Sequence, residues 1–190
     1  MDIEKFLNET APKVDRAVEK YLPRKFAKDS VLFQVNPPLY SYNLEPLNKA
    51  IADPIWDMLD RGGKRWRPAL FLLICEALGK NDDFCIDFAI IPEVIHNGTL
   101  VIDDIEDSSE VRRGKPCSYK IYGTDIAINV GNAMYYLPLL PIMVNREKLS
   151  AETQRDIYEI YVQEMINLSM GQAMDITWHR GIANADTLSE

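Results

Sequence analysis

Apolar residues recur at intervals of three and four along most of the chain, which is the spacing of one face of an α-helix. The segment 14–22 follows this spacing behind a cap at Thr10 and predicts a first helix, with Pro12 in its first turn. A second apolar face runs from Leu44 to Leu59. No segment alternates apolar and polar residues as a half-buried strand does. The pattern therefore predicts an all-α bundle of buried helices.

Proline, glycine and hydroxyl residues mark the ends of the later helices. Pro68 opens an apolar stretch that stops at Gly79, and a longer buried helix is predicted from Asp82 to Asp103. Ser150 predicts the cap of a last long helix that reaches about Trp178. The polar segment 107–122 is predicted to be irregular.

Composition limits the classes of function. The chain has 190 residues, 47% apolar and 26% charged, which suits a single helical domain over residues 1–190 and excludes a disordered or fibrous chain. A formal charge of −8 argues against nucleic acid as a partner. No apolar run approaches the roughly 20 residues of a bilayer span, and the N-terminus does not have the pattern of a secretory signal. We therefore expect a cytoplasmic protein without a transmembrane segment.

Four carboxylates fall within five positions directly after the long apolar helix: Asp103, Asp104, Glu106 and Asp107. The spacing of four places Asp103 and Asp107 on one helical face, at the negative end of the helix dipole. An acidic run in water is the plain alternative. Clustered charges of one sign beside buried apolar residues need cations, however, and hard oxygen ligands suit Mg²⁺ or Mn²⁺. The segment therefore indicates a divalent-metal site.

Mg²⁺ is usually held by one or two carboxylates together with substrate phosphates, so the acidic face predicts a phosphorylated ligand. Two basic segments supply cations for it, Arg112-Arg113 and residues 61–68. In the second segment, glycines allow close approach of the backbone and a helix N-terminus favours an anion. Each segment taken alone is also compatible with a basic turn in water. A Walker phosphate loop is excluded, because its glycine-lysine pattern does not occur.

Three further polar residues lie on apolar helix faces. His96 precedes Asp103 by two helical turns on nearly the same face. Contact with the ligand and a satisfied core histidine are equally good interpretations of His96. Gln172 and Asp175 continue an apolar stripe, where a polar group must be paired, either with another helix or with a ligand.

Taken in order, these segments resemble the trans-isoprenyl diphosphate synthase (polyprenyl synthetase) family. The matching residues are Gly62-Gly63-Lys64-Arg65-Trp66-Arg67-Pro68, His96, Asp103-Asp104-x-x-Asp107, Arg112-Arg113-Gly114-Lys115-Pro116 and Gly171-Gln172-x-x-Asp175. Residues 96–123 most resemble geranylgeranyl diphosphate synthases of the eukaryotic type. The resemblance implies an isoprenoid synthase helical bundle around a central cavity. It covers only the front part of that fold, since a second aspartate-rich motif does not occur before Glu190, so the chain is expected to be the N-terminal part of a longer polyprenyl synthase domain.

The resemblance also implies an activity. Isopentenyl diphosphate would be condensed with an allylic diphosphate (dimethylallyl, geranyl or farnesyl) to a longer trans-polyprenyl diphosphate, with geranylgeranyl diphosphate as the expected product. Asp103 and Asp107 would ligate Mg²⁺, Asp104 would support them, and Arg112 would hold the allylic diphosphate. The residues implied to hold isopentenyl diphosphate are Lys64, Arg67, His96 and Arg113, and those implied to line the cavity near the metals are Gln172 and Asp175. A homodimer is implied as well.

By the same resemblance, product length is set on the helix that leads into the acids. Family members with shorter products carry aromatic residues at the fourth and fifth positions before the motif, which are Thr99 and Gly98 here. With Ile95, these positions would leave a chain-length pocket that allows growth past farnesyl, until bulk from another helix stops it.

Two other functions stay open. A terpene cyclase would share the acids and Mg²⁺ but would not need a second diphosphate site, so residues 62–68, His96 and Arg113 favour chain elongation. A non-catalytic or regulatory subunit that binds an allylic diphosphate with Mg²⁺ would fit the missing rear half, whereas the retained Asp103 and Arg112 argue for an active site.

Overall fold

The computed structural model of the chain describes residues 2–35, 37, 39–80 and 83–184. Most of these residues are helical, which confirms the predicted all-α class. In chain order the elements are α1 (Ile3–Tyr21), α2 (Val31–Val35), α3 (Leu44–Leu47), a π-helical turn (Asn48–Ala52), α4 (Asp53–Asp60), α5 (Trp66–Ala77), α6 (Asp83–Glu106), β1 (Val111–Arg112), β2 (Lys115–Pro116), α7 (Ser118–Tyr122), α8 (Thr124–Tyr136), a 3₁₀ turn (Leu137–Leu139), α9 (Leu140–Val144), a second 3₁₀ turn (Arg146–Lys148) and α10 (Ala151–His179). Asp82, the predicted start of α6, lies outside the described residues.

The chain forms two compact units, residues 1–144 and 145–190. The first unit contains α1 to α9, and the second contains the last 3₁₀ turn and α10. A single domain over residues 1–190 stays a prediction, and each unit is described by itself.

The core of the first unit is built around α6, which packs against α8, α5 and α1. Val94 of α6 and Val130 of α8 are fully buried, and Tyr21 of α1 belongs to the same cluster. Burial of an apolar side chain of this size stabilises a fold by about 1.5–3 kcal/mol. The core therefore fixes α6, the helix that carries His96 and ends in the acidic residues.

Helices α6 and α8 approach closely because each has a glycine at their crossing. A Cβ on Gly98 would lie 2.8 Å from the Cβ of Met134 and 3.2 Å from the carbonyl oxygen of Gly131. A Cβ on Gly131 would lie 2.5 Å from Cδ1 of Ile102. A larger side chain at either glycine would push the helices apart, because the interior is close-packed. Gly98 is therefore a packing residue of this structure.

The first helix is longer than its sequence pattern predicts. Its N-cap is Asp2, whose carboxylate accepts the backbone N–H of Lys5 at 3.1 Å, so α1 begins at Ile3. The predicted cap at Thr10 is wrong, since Thr10 is buried inside the helix. Pro12 also lies in the helix interior, where it has no backbone N–H to donate. Burial of the apolar face that follows Pro12 offsets the loss of this hydrogen bond.

The segment after the acids contains a small hairpin, so the prediction of irregular structure there is wrong. β1 and β2 are antiparallel, and Arg112 pairs with Lys115. The two turn residues, Arg113 and Gly114, have φ of 51° and 76°, and positive φ at both positions is what a type I′ turn requires. Strands of two residues are too short to show an alternating pattern, which explains why the sequence does not reveal them.

The predicted ends of two helices are confirmed. Helix α5 is followed by Gly79, which has a φ of 76°. In the second unit, the hydroxyl of Ser150 accepts the backbone N–H of Thr153 at 3.0 Å and caps α10. The side-chain amide of Gln154 also donates to the carbonyl oxygens of Arg146 and Leu149, which fixes the turn before α10.

Within the part of the chain that the structure describes, two segments could cross a membrane by length and composition alone, Asp83–Glu106 and Thr124–Val144. About half of the most apolar window of each is buried inside the protein, 56% and 44% respectively. The central helix of a water-soluble bundle has the same length and composition, so this observation is weak support for a span. The absence of a transmembrane segment stays a prediction.

Candidate functional site

The three aspartates at the end of α6 differ in exposure. Asp104 is 1% exposed, the Asp103 side chain is 34% exposed, and Asp107 is exposed. The backbone N–H of Asp107 donates to the carbonyl oxygen of Asp103 at 2.9 Å, so the helical spacing continues through Asp107. Asp103 and Asp107 therefore share one face, as predicted from their spacing, while Asp104 is turned into the protein.

Arg112 reaches back from the hairpin to the inward-facing aspartate. Its Nε and Nη2 donate to Oδ1 of Asp104 at 2.9 and 2.6 Å, and Nη2 lies 3.8 Å from Oδ2 of Asp103. The hydrogen bond to Asp104 raises the pKa of the Arg112 guanidinium. Burial, with a hydrogen bond to Asp104, raises the pKa of the Cys117 thiol to about 11, so Cys117 is a neutral donor. Asp104 thus attaches the hairpin to α6. The role that the family resemblance implies for Asp104, support of the other two carboxylates, stays a prediction.

The two basic segments of the sequence are bonded to each other. Nη1 of Arg61 donates to the carbonyl oxygen of Arg112 at 3.2 Å, while its Nη2 lies 2.6 Å from Oδ2 of Asp57. In return, Nη1 of Arg113 donates to the carbonyl oxygen of Gly62. The hairpin and the glycine pair before α5 are therefore held side by side.

His96 faces the cations of both segments. It is half-buried, and burial lowers its pKa, followed by the positive charges of Arg67, Arg113 and Arg112, while Glu93 opposes the shift. A lowered pKa keeps His96 neutral at neutral pH, and a neutral imidazole can still donate one N–H to an anion. The charges of Arg67 and Arg113 therefore influence His96. A shared site for these three residues stays a prediction.

Lys64 is exposed at the same entrance to α5. It lines a pocket of about 180 Å³ together with Gly63 and side chains of the N-terminal half of α1, among them Glu4 and Asn8. Its ammonium group is available to a ligand that reaches this pocket.

Two arginines of the glycine segment were not singled out from the sequence, because a basic residue in a turn is usually exposed. The Arg61 side chain has no exposed surface, and Arg65 is 6% exposed. Their partners are acids at helix positions that face inward, Asp57 for Arg61 and Glu93 for Arg65. Acids at otherwise apolar helix positions are the one signal in the sequence that could have indicated buried arginines.

The predicted chain-length residues do not share one environment. Gly98 packs against Met134 and Gly131, as described above. Thr99 is half-buried, and its hydroxyl donates to the carbonyl oxygen of His96 at 2.8 Å. Ile95 is also half-buried. A chain-length pocket formed by Ile95, Gly98 and Thr99 stays a prediction.

Tyr135 of α8 is a residue near the acids that the sequence did not single out for this site. Its ring carbon Cε1 lies 3.3 Å from the position of a Cβ on Gly98. Burial, followed by the negative charges of Glu106 and Asp103, raises the pKa of Tyr135 to about 12. The phenol of Tyr135 therefore fills space between the middle of α6 and the acidic end.

Gln172 and Asp175 lie on α10, in the second unit. Both are near the C-terminal end of this 29-residue helix, and their spacing of three keeps them on neighbouring positions of one face. Their role as cavity-lining residues stays a prediction.

The carboxylates fit a divalent cation only in combination with another ligand. Among the described residues, no three His, Cys, Asp or Glu side chains converge as a metal-binding group. Asp103 and Asp107 offer two carboxylates on one face, which is the number that Mg²⁺ uses when substrate phosphates complete its coordination. The acids of this site therefore fit a cation that arrives with a phosphorylated ligand.

Comparison with known proteins finds a matching family and similar proteins. The polyprenyl synthetase family model matches residues 48–190. The chain is 34% identical over 130 residues to a geranylgeranyl pyrophosphate synthase of Neocamarosporium betae, and 34% identical over 139 residues to one of Dictyostelium discoideum. These alignments cover 68% and 73% of this chain but only 36% and 44% of the relatives. The chain thus spans less than half of the length of these curated relatives.

Solved structures agree with the fold. The geranylgeranyl pyrophosphate synthetase of Pyrococcus horikoshii Ot3 aligns with a TM-score of 0.71 and 28% identity, over 94% of this chain and 48% of that one. The enzyme of the same name from the archaeon Geoglobus acetivorans aligns with a TM-score of 0.72 and 26% identity, over 97% and 51%. These alignments confirm the predicted isoprenoid synthase helical fold. Because the family model covers most of its residues, the chain belongs to the polyprenyl synthetase family.

Proposed function

We propose that the protein acts in prenyl-chain elongation, as a trans-prenyltransferase that condenses isopentenyl diphosphate with an allylic diphosphate. The observation that carries the proposal is the meeting of cations from two chain segments beside the carboxylates of α6. Arg61 donates to the carbonyl oxygen of Arg112, Arg113 donates to the carbonyl oxygen of Gly62, and Arg112 donates to the carboxylate of Asp104. The names of the relatives, geranylgeranyl pyrophosphate synthases, support the same reaction.

Two groups of cations suit two diphosphates. Arg112 lies beside Asp103, so an allylic diphosphate bridged to the carboxylates would meet its guanidinium there. We assign the second group, formed by Lys64, Arg67, His96 and Arg113, to isopentenyl diphosphate. A terpene cyclase needs only the first group, so the second group favours chain elongation.

In this mechanism the protein stabilises charge and does not need a strong base. Mg²⁺ (or Mn²⁺), held by Asp103 and Asp107, would neutralise the leaving diphosphate while the allylic C–O bond breaks. Arg112 would hold that diphosphate as it leaves with the bonding electron pair. The double bond of isopentenyl diphosphate would then attack the allylic carbocation and form the new C–C bond. The resulting cation would lose a proton to the released diphosphate or to a nearby carbonyl.

We propose geranylgeranyl diphosphate as the product. Thr99 offers no aromatic barrier to a growing chain, and the ring of Tyr135 beside Gly98 supplies bulk from another helix that would end growth. Gln172 and Asp175 are proposed to line the cavity near the metals. Ile95 is proposed to form one side of the pocket for the chain.

We further propose that the protein is a cytoplasmic homodimer without a transmembrane segment. Its three cysteines form no even set of the kind that disulfide frameworks use, which suits a reducing compartment. Ile128 and Tyr136 of α8 are exposed apolar side chains, and such residues support association with a second copy.

Product analysis tests this function. The purified protein is incubated with Mg²⁺, labelled isopentenyl diphosphate and each allylic diphosphate in turn, alone and with an added synthase subunit that has no activity by itself. We expect labelled geranylgeranyl diphosphate, lost on chelation of the metal and in Asp103→Asn. Magnesium-dependent binding of the allylic substrate without turnover would fit a fragment or a non-catalytic subunit, and activity restored only by the added subunit would identify the subunit. Cyclic hydrocarbon made from an allylic diphosphate alone would identify a terpene cyclase.

A further inference from the structure

Arg65 adopts a backbone conformation that is unfavourable for its residue type. Its φ and ψ are 49° and 35°, in the left-handed region, at the position directly before α5. A non-glycine residue in this region is strained, and such strain persists only where surrounding contacts hold it. Arg65 stands between Lys64 and Arg67, so its conformation decides the directions in which these two cations leave the backbone.

Three bonds hold the Arg65 side chain, and each goes to a different element. Nε donates to Oδ1 of Asp15 on α1 at 2.9 Å, and Nη1 donates to Oε1 of Glu93 on α6 at 2.8 Å. Nη2 donates to the carbonyl oxygen of Leu59 near the end of α4 at 2.9 Å. The guanidinium is therefore the point at which three helices are fixed relative to the start of α5.

Glu93 connects this point to the histidine of the site. It is 4% exposed, and the side-chain amide of Asn97 donates to its Oε1 at 2.9 Å and to its backbone carbonyl at 2.8 Å. His96 lies one helical turn after Glu93. The Arg65–Glu93 pair thus sets the separation between Arg67, at the start of α5, and His96, in the middle of α6.

We propose that Arg65 is a positioning residue for the second diphosphate site. It fixes the residues of that site and does not touch the substrate. Its buried pair with Glu93 holds Lys64, Arg67 and His96 in one arrangement that matches the diphosphate group of isopentenyl diphosphate. This role rests on the proposed function. It predicts a selective effect, because the carboxylates and Arg112 of the first diphosphate site have their own support in Asp104.

Binding measurements on the whole chain test this selectivity. In Arg65→Lys, an ammonium keeps the charge but cannot hold three acceptors in the planar fork geometry. We expect the Kd for isopentenyl diphosphate to rise about tenfold, which corresponds to about 1.4 kcal/mol of lost binding free energy. The Kd for geranyl diphosphate with Mg²⁺ should change less than twofold. Titration calorimetry at a temperature where every variant is folded gives both values.

Two further variants separate positioning from stability. Asp15→Asn weakens only the bond between Arg65 and Asp15, whose side chain is part-exposed. This variant should therefore remain folded and raise the Kd for isopentenyl diphosphate about threefold. Val94→Ala is the matched control: it removes fully buried methyl groups next to Glu93 on α6 and lowers the melting temperature without changing the Arg65 bonds. Its Kd for isopentenyl diphosphate should stay that of the wild type once it is folded.

The outcomes distinguish the role of Arg65 from the function on which it rests. Arg65 would serve only stability if Arg65→Lys and Asp15→Asn lost equal affinity for both diphosphates. The same would follow if Val94→Ala lost as much affinity for isopentenyl diphosphate as these two variants. Unchanged affinities in both Arg65→Lys and Asp15→Asn would also overturn the role. Failure of the wild-type chain to bind isopentenyl diphosphate at all would overturn the proposed function, and the role of Arg65 with it.

Discussion

Arg112 directs two of its donors, Nε and Nη2, to a single carboxylate oxygen of Asp104. Asp104 is almost fully buried, whereas its neighbour Asp103 and the exposed Asp107 face outward. The acidic run is therefore divided by exposure. The middle aspartate binds Arg112 inside the protein, and the outer two lie at the surface.

Asp104→Asn should lower the free energy of unfolding by about 1–3 kcal/mol, because the charged acceptor of the Arg112 guanidinium is lost from a buried position. It should also weaken allylic diphosphate binding, since Arg112 is released from α6. Urea unfolding and calorimetry measure the two effects. Asp103→Asn is the comparison: its contact with Arg112 is long and part-exposed, so it should cost less than about 1 kcal/mol. A stability loss in Asp103→Asn equal to that in Asp104→Asn would contradict this division.

Gly98→Ala should be destabilising by about 1–3 kcal/mol, because the new methyl group would overlap the Cβ of Met134, which has no freedom to move aside. Gly171→Ala is the matched control in a helix. Apart from its chain neighbours and the backbone of its own helix, none of the described residues has an atom within 4 Å of the added Cβ. Alanine should therefore stabilise α10 by about 0.5–1 kcal/mol through helix propensity alone. Thermal unfolding of the two variants should move in opposite directions, and a shift of the same sign in both would refute the packing role of Gly98.

The sequence predicts this fold well where a local signal coincides with the tertiary structure. Ser150 caps α10 and Gly79 follows α5, because capping and positive φ are local requirements. The sequence does not predict the start of α1, because Asp2 and Thr10 are both residue types that cap helices. Only the burial of Thr10 in the folded protein decides between them. The hairpin was missed because its pairing involves two residues on each strand.

The acidic face of the candidate site could be predicted from the sequence, and the contacts that hold the site in place could not. Asp103 and Asp107 follow from charge and spacing, whereas the assignment of Arg67 follows from the resemblance to the family. The sequence does not show that Gly98 meets a second glycine across a helix crossing, since a packing glycine and a pocket glycine look alike in one dimension. The buried role of Arg65 likewise depends on acids that lie 50 residues before it and 28 residues after it.

Thr99→Phe and Tyr135→Ala should change product length in opposite directions in an assay that turns over. An aromatic ring at position 99 narrows the half-buried space beside α6 and should shift the product towards farnesyl diphosphate or shorter. Loss of the Tyr135 ring opens the space beside Gly98 and should add at least one isoprene unit to part of the product. Chromatography of the dephosphorylated products measures both. The same product profile in both variants and the wild type would place the growing chain elsewhere.

Diphosphate binding should be coupled to proton uptake at His96. In the free protein, burial and the charges of Arg67, Arg113 and Arg112 lower the pKa of His96, with Glu93 acting in the opposite direction. The neutral form is therefore favoured by folding, and the stability that His96 contributes is present above about pH 6.5 and is lost as pH falls through its lowered pKa.

A bound diphosphate would offset the positive charges around His96 and raise its pKa. Binding should then take up a fraction of a proton near pH 6, and affinity should increase as pH falls from 7 to 6 by more than the titration of free diphosphate predicts. Calorimetry in two buffers of different ionisation enthalpy measures the uptake. His96→Gln keeps a hydrogen-bond donor and has no titration in this range, so the excess uptake should disappear. Persistence of the same excess in His96→Gln would assign the proton to another group.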